Sequence, residues 1–176
     1  YKMPGIKIIS PMTPKEYLIA YNDFMKNDEV MYVSEHRGSY TNTKELHDYL
    51  DGDLDLILFP ISITRFEAHK AKIELEKEGY KIGIANILWI KPFSIKKDWE
   101  QAVIKSKFGG IVLDDDYTDG VASNLAYRLI KKTKKNFEVM GLKDRSAGFS
   151  KTTDNLPPSC KEIIIKCKEL INKNGK

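Results

Sequence analysis

Residues 111–130 constrain the fold more than any other stretch of the chain. Ile111, Val112 and Leu113 run without interruption into Asp114, Asp115 and Asp116; a turn follows at Thr118, Asp119 and Gly120. Beyond it Val121, Ala122, Leu125, Ala126, Leu129 and Ile130 are apolar. The first run fits a strand covered on both faces, and the later spacing places one stripe on a helix of about 3.6 residues per turn. The segment is therefore predicted to be a buried strand, a polar loop at its C-terminal end, and a helix packed back on the sheet. In open α/β sheets ligands are met at that edge, so the strand-end loop of Asp114, Asp115, Asp116 and Gly120 is where a site is first sought.

A chain of 176 residues can bury one substantial core, or one domain and part of another. Its net charge of +4 comes from 29 basic and 25 acidic residues, interspersed except for Lys131, Lys132, Lys134 and Lys135. That run reads as a solvated helix end, and no nucleic-acid footprint is expected. No apolar run reaches the length of a membrane span and the first residues do not resemble a signal peptide, so the expected location is cytoplasmic. Cys160 and Cys167 fall two turns apart on one helical face. At a rise of about 1.5 Å per residue their Cα atoms lie about 10 Å apart, beyond disulfide reach. Reduced core cysteines are expected, and with three histidines no metal cluster.

A strand at residues 6–9 is followed by Thr13-Pro14-Lys15-Glu16, a capping box with proline at the first helical position. The helix it opens carries Tyr17, Leu18, Tyr21, Phe24 and Met25 on one face. A second buried-type strand is expected at 30–33. Residues 38–52 hold little apolar content, with one short helix expected near 44–50; the domain boundary is placed here. Residues 54–61 then read as a strand, Thr64 to Glu67 as a second capping box opening a helix that stops at Gly79, and residues 80–90 as one long strand. A helix over 96–106 with Trp99, Ala102 and Val103 inward precedes the central unit. A last strand at 137–142, an irregular loop over 143–158, and a helix opened by a third capping box, Ser159 to Glu162, complete the chain. Strands alternating with helices argue for a mostly parallel sheet covered on both faces.

Three consecutive carboxylates at a strand end invite a phosphoacceptor or magnesium reading, as in a flavodoxin-like receiver or binding module using Asp114–Asp116. That chemistry needs further acids and a lysine from other strand ends. The alternative is a solvated loop whose charge assists the following helix N-terminus. Gly120 is followed by Ala122 rather than a second glycine, so no dinucleotide fingerprint is present. Glu35, His36 and Arg37 form the other polar cluster: His and Arg can contact an anionic substrate at the mouth of a site and Glu can orient either, or all three are charges on an exposed loop.

Several segments resemble one family. Pro4-Gly5-Ile6-Lys7-Ile8-Ile9-Ser10-Pro11 with Thr13-Pro14 resembles the Pro-Gly-Leu-Lys-Val-Val-x-Pro run of the beta subunit of thiamine-diphosphate-dependent 2-oxoacid dehydrogenases, relatives of the transketolases. Val33-Ser34-Glu35 resembles the Phe-Leu-Glu that closes that subunit's pyrimidine-binding domain. Ile90-Lys91-Pro92-Phe93 followed by Asp98-Trp99-Glu100 is similar to the family's Leu-Lys-Pro-Leu-Asp segment. Gly120-Val121-Ala122-Ser123-Asn124 sits where the family has Gly-Phe-Gly-Ala-Glu.

The resemblance covers nearly the whole chain, through structural rather than catalytic motifs. It implies that residues 1–42 are the tail of a pyrimidine-binding domain, 43–53 a linker, and 54–176 a transketolase C-terminal-like domain: three-layer αβα, with one antiparallel strand in a mostly parallel sheet. It implies thiamine diphosphate and Mg2+ in the complete enzyme but none bound by this chain alone, since the family's catalytic glutamate and its Gly-Asp-Gly…Asn motif lie elsewhere. The partners it implies are a homodimer or an alpha-type subunit in a hetero-oligomer, and an acyltransferase core. The chain departs from the pattern at Ala122 and Asn124. The tail at 144–149 and 154–158 lacks the family's Pro-x-Pro-type segment. The transketolase substrate-phosphate arginine falls at Glu35, with Arg37 two residues on. Asn27 replaces the carboxylate of a monovalent-cation turn, and that cation site is not carried over.

Overall fold

The computed structural model describes residues 1–146 and 155–174. In chain order the elements are β1 (Ile6–Ile9), α1 (Pro14–Lys26), β2 (Val30–Val33), a 3-10 turn (Arg37–Ser39), β3 (Leu56–Pro60), α2 (Thr64–Lys77), β4 (Ile82–Ile84), β5 (Trp89–Lys91), α3 (Lys97–Lys105), β6 (Gly110–Tyr117), α4 (Val121–Thr133), β7 (Phe137–Leu142) and α5 (Cys160–Asn174). They form two sheets: β4-β3-β6-β7, wholly parallel, and β2-β1-β5, in which β1 and β2 are parallel and β5 antiparallel.

The larger sheet forms because every residue of β3 is buried, and alternation sends its side chains into two different cores. Ile57 and Phe59 join Val112, Trp99, Leu125 and Leu129 on the α3 and α4 side. Leu56 and Leu58 join Ile111, Leu113, Leu75 and Cys167 on the α2 and α5 side. Each fully buried aliphatic side chain contributes about 1.5–3 kcal/mol, so this doubly covered sheet is the stable centre of the molecule. At its entrance Gly109 holds φ +78, and a Cβ there would stand 2.0 Å from the Asn136 carbonyl oxygen; only glycine lets β6 start beside β7.

Several expectations are corrected. Residues 80–90 are not one strand: β4 belongs to the large sheet and β5 crosses to pair with β1, so the antiparallel strand lies in the small sheet. Residues 44–50 form no helix, because Tyr49 is drawn into an antiparallel bridge with Ile84 (2.8 and 2.9 Å) and Asp48 accepts from the Asn86 backbone (2.7 Å) and the Trp99 indole (2.8 Å). β2 is an open edge rather than a buried strand, with Tyr32 61% exposed. In α1 Ala20 is buried, while Leu18, Tyr21, Phe24 and Met25 are exposed.

Of the three capping boxes, Ser159 and Glu162 close both arms. Thr13 donates instead to Glu45 (2.6 Å), and Glu16 accepts from the Met12 amide (2.9 Å) and from Arg65. Thr64 is the first residue of α2 and donates to the Ile61 (2.6 Å) and Leu113 (3.2 Å) carbonyls. Both cysteines are free thiols. Residues 147–154 of the expected loop over 143–158, including part of the tail that lacks the family's Pro-x-Pro-type segment, lie outside the described residues. Among the described residues no helix is long and apolar enough to cross a membrane.

Candidate functional site at the C-terminal edge of the large sheet

Pairing between β3 and β6 ends at Pro60 and Leu113, and the chain after β3 turns sharply. Ser62 adopts φ 53, a left-handed conformation uncommon for a residue with a side chain. The turn aims its hydroxyl at Asp115 Oδ2, to which it donates at 2.6 Å. The carboxylates belong to β6 itself rather than to a loop. Asp114 is 3% exposed, Asp115 half-buried and Asp116 exposed. The Asp114 carboxyl accepts from the Asp116 amide at a long 3.4 Å. Burial pushes the Asp114 carboxyl up to about 7, and the charge of Asp115 adds to the effect.

These groups form one wall of a cavity of about 410 Å3. The opposite wall is the small sheet's face, with Ile6, Ile8, Tyr32 and Ile90, and Ser10 and Ser34 supply hydroxyls. The Tyr1 hydroxyl, on the same rim, donates to Asn124 (2.8 Å). Among the described residues no lysine or arginine lines this cavity, so an anion would meet carboxylates and hydroxyls but no cationic side chain. Among the described residues no group of three or more His, Cys, Asp or Glu is placed to hold a metal ion. The residues present do not fit a magnesium diphosphate, nor the metal and lysine of a receiver-type site. What the geometry offers is a carboxyl that exchanges its proton near neutrality beside hydroxyl groups.

The loop cluster is elsewhere. His36 Nδ1 accepts from the Gly38 amide (3.0 Å) and caps the 3-10 turn. Glu35 accepts from the Tyr40 hydroxyl (3.1 Å) and lines a separate groove of about 190 Å3 between α1 and β2. None of Glu35, His36 and Arg37 lines the carboxylate cavity, and Gly120, the cap residue of α4, does not line it either. Two features carried no sequence signal. One is Ser62. The other is Arg65, fully buried and fork-paired to Glu16 at 2.6 and 2.7 Å, with its Nε donating to Asn86 Oδ1 (3.2 Å); this pair ties α1 to α2.

These features define an α/β fold of the transketolase C-terminal-like type, a wholly parallel four-stranded sheet flanked by helices. No protein-family model matches the sequence, and no curated protein matches it. Among solved structures, a split-gene transketolase described as an inactive beta4 tetramer superposes with a TM-score of 0.73 at 12% identity. The match covers 98% of this chain and 59% of that one. The 2-oxoglutarate:ferredoxin oxidoreductase from Magnetococcus marinus, solved with 2-oxoglutarate, coenzyme A and succinyl-CoA bound, gives 0.50 at 17% identity over 69% of this chain and 18% of its own. The chain thus spans less than two thirds of the length of either neighbour.

Proposed function

We propose that this chain is the C-terminal, assembly-forming portion of a thiamine-diphosphate-dependent enzyme, a 2-oxoacid dehydrogenase beta subunit or a transketolase-like protein. On this reading residues 1–42 are the tail of a pyrimidine-binding domain, 43–53 a linker and 54–176 the C-terminal domain, and the cofactor is held outside this chain. The observation that carries the reading is the uncovered surface of α1 and β2. Leu18, Tyr21, Phe24 and Met25 stand exposed on the helix, and Val30 and Tyr32 on a strand with a neighbour on one side only. Contiguous apolar patches and open strand edges of this kind are covered in functional proteins, and obligate interfaces are large and apolar. The fold shared with a transketolase and the family-like segments supply the direction. The partners are a second copy or an alpha-type subunit, with an acyltransferase core docking on the C-terminal domain.

The test is calorimetric. Thiamine diphosphate with Mg2+ titrated onto the 176-residue chain is expected to give no saturable heat, and the chain alone no turnover of a 2-oxoacid. Binding at about micromolar Kd, worth about 8 kcal/mol, would contradict the assignment.

A further inference from the structure

A second cavity, of about 550 Å3, opens on the opposite face of β1: Lys7 lines it, whereas Ile6 and Ile8 line the first. Its apolar walls are Ile19 of α1, Leu88, Trp89, Pro92 and Trp99. Trp89 and Trp99 are the two tryptophans of the chain. Trp99 is a fixed wall, packed edge-on against Phe59 with ring centroids 5.6 Å apart and held by its indole N–H on Asp48 at 2.8 Å.

The polar groups around this cavity differ in how far they are committed. The Asn86 amide donates to the His47 carbonyl (2.8 Å) and Asp48 (3.2 Å) and accepts from Arg65 (3.2 Å). The Lys7 ammonium is paired with Asp23 (3.0 Å) and Glu29 (2.7 Å). The Lys96 ammonium lies 4.5 Å above the Trp99 ring and, among the described residues, reaches one carboxylate oxygen, Asp48 Oδ2, at 3.5 Å. That oxygen already accepts the Trp99 indole N–H. A lysine ammonium has three donors, so Lys96 keeps hydrogen-bonding capacity at the cavity rim. An apolar cleft of this size with few convergent polar groups has the composition of a small-molecule site. Asp23 on its wall, with Glu29 and Asp48 beside its lysines, disfavours a polyphosphate.

We infer that this cavity binds a planar aromatic molecule carrying one carboxylate or carbonyl acceptor, its ring against Trp89 and Pro92 beside the buried Trp99 and its acceptor on the Lys96 ammonium. The inference goes beyond the assembly role and does not depend on it. The probe is 2-naphthoate, titrated into the full chain while the two indole N–H signals are followed by 1H–15N correlation spectroscopy. Both signals are expected to move along one saturable curve. Lys96→Met, at an exposed position that leaves the amide spectrum intact, is expected to weaken binding about tenfold, the loss of one charged hydrogen bond. Leu18→Ser, on the open face of α1, is expected to leave the affinity unchanged. The inference is overturned if neither indole moves at about millimolar probe, if Lys96→Met binds as well as the parent, or if Leu18→Ser weakens binding equally, which would mark adventitious sticking to the apolar face.

Discussion

The buried carboxyl of Asp114 makes stability fall as pH rises above the ordinary aspartate range. The unfolded chain releases this proton near the usual 3.8, whereas the folded protein holds it to about 7. Between those values the native state binds more protons, so this group destabilises progressively and contributes nothing further above the folded value. At about 1.4 kcal/mol per pH unit the loss amounts to as much as about 4 kcal/mol. Asp114→Asn, neutral at every pH and similar in shape, is expected to raise the melting temperature at pH 8, leave it nearly unchanged at pH 4, and flatten the profile between. An unchanged slope would show that another group titrates. Sequence could locate the carboxylates but not sort them: Asp114, Asp115 and Asp116 are chemically alike, and only the pleat of β6 and the turn at Ser62 make one buried, one hydrogen-bonded and one solvated.

Elements whose partners are local were legible, and those decided by distant contacts were not. The strand, turn and helix from β6 to α4 form as their apolar spacing requires, and β7 coincides with its apolar run. Ser159 and Glu162 cap α5 through bonds spanning three positions; Ser159→Ala is expected to cost about 1 kcal/mol, measured by denaturant unfolding. The Thr13 and Glu16 pattern is as clear in sequence, but Glu45 and Arg65 take its side chains. The run at 80–90 divides between two sheets at a point its composition does not mark. Arg65, whose partner lies 49 positions away, is likewise invisible locally, yet the pair joins the two halves of the molecule. Arg65→Met is expected to cost about 3–5 kcal/mol by stranding Glu16, and Arg65→Met with Glu16→Leu to recover most of it. If the double variant is as unstable as the single, the guanidinium acts chiefly through Asn86 rather than through Glu16.

At the scale of the whole molecule, one sheet is finished and the other is not. The four-stranded sheet is covered on both faces, with Cys167 so deep that burial pushes its thiol up to about 12. The small sheet ends at β2 with Val30 and Tyr32 in solvent and α1 turning Met25 outward, 78% exposed. Periodicity marks α1 and β2 as apolar but cannot say whether their cover lies in the same chain, so their burial was the part of the fold least accessible from sequence. On the proposed assembly role, Phe24→Lys together with Tyr32→Lys is expected to leave the melting temperature of the isolated chain within a few degrees while abolishing the proposed association with partner subunits, read by size-exclusion chromatography. The most direct test of the assembly role is amide hydrogen exchange across Val30–Val33 and α1, compared between the isolated chain and the native assembly purified from its source. Strong protection of the outward β2 amides in the assembly, and rapid exchange in the isolated chain, is the expected result; equally rapid exchange in both would contradict it.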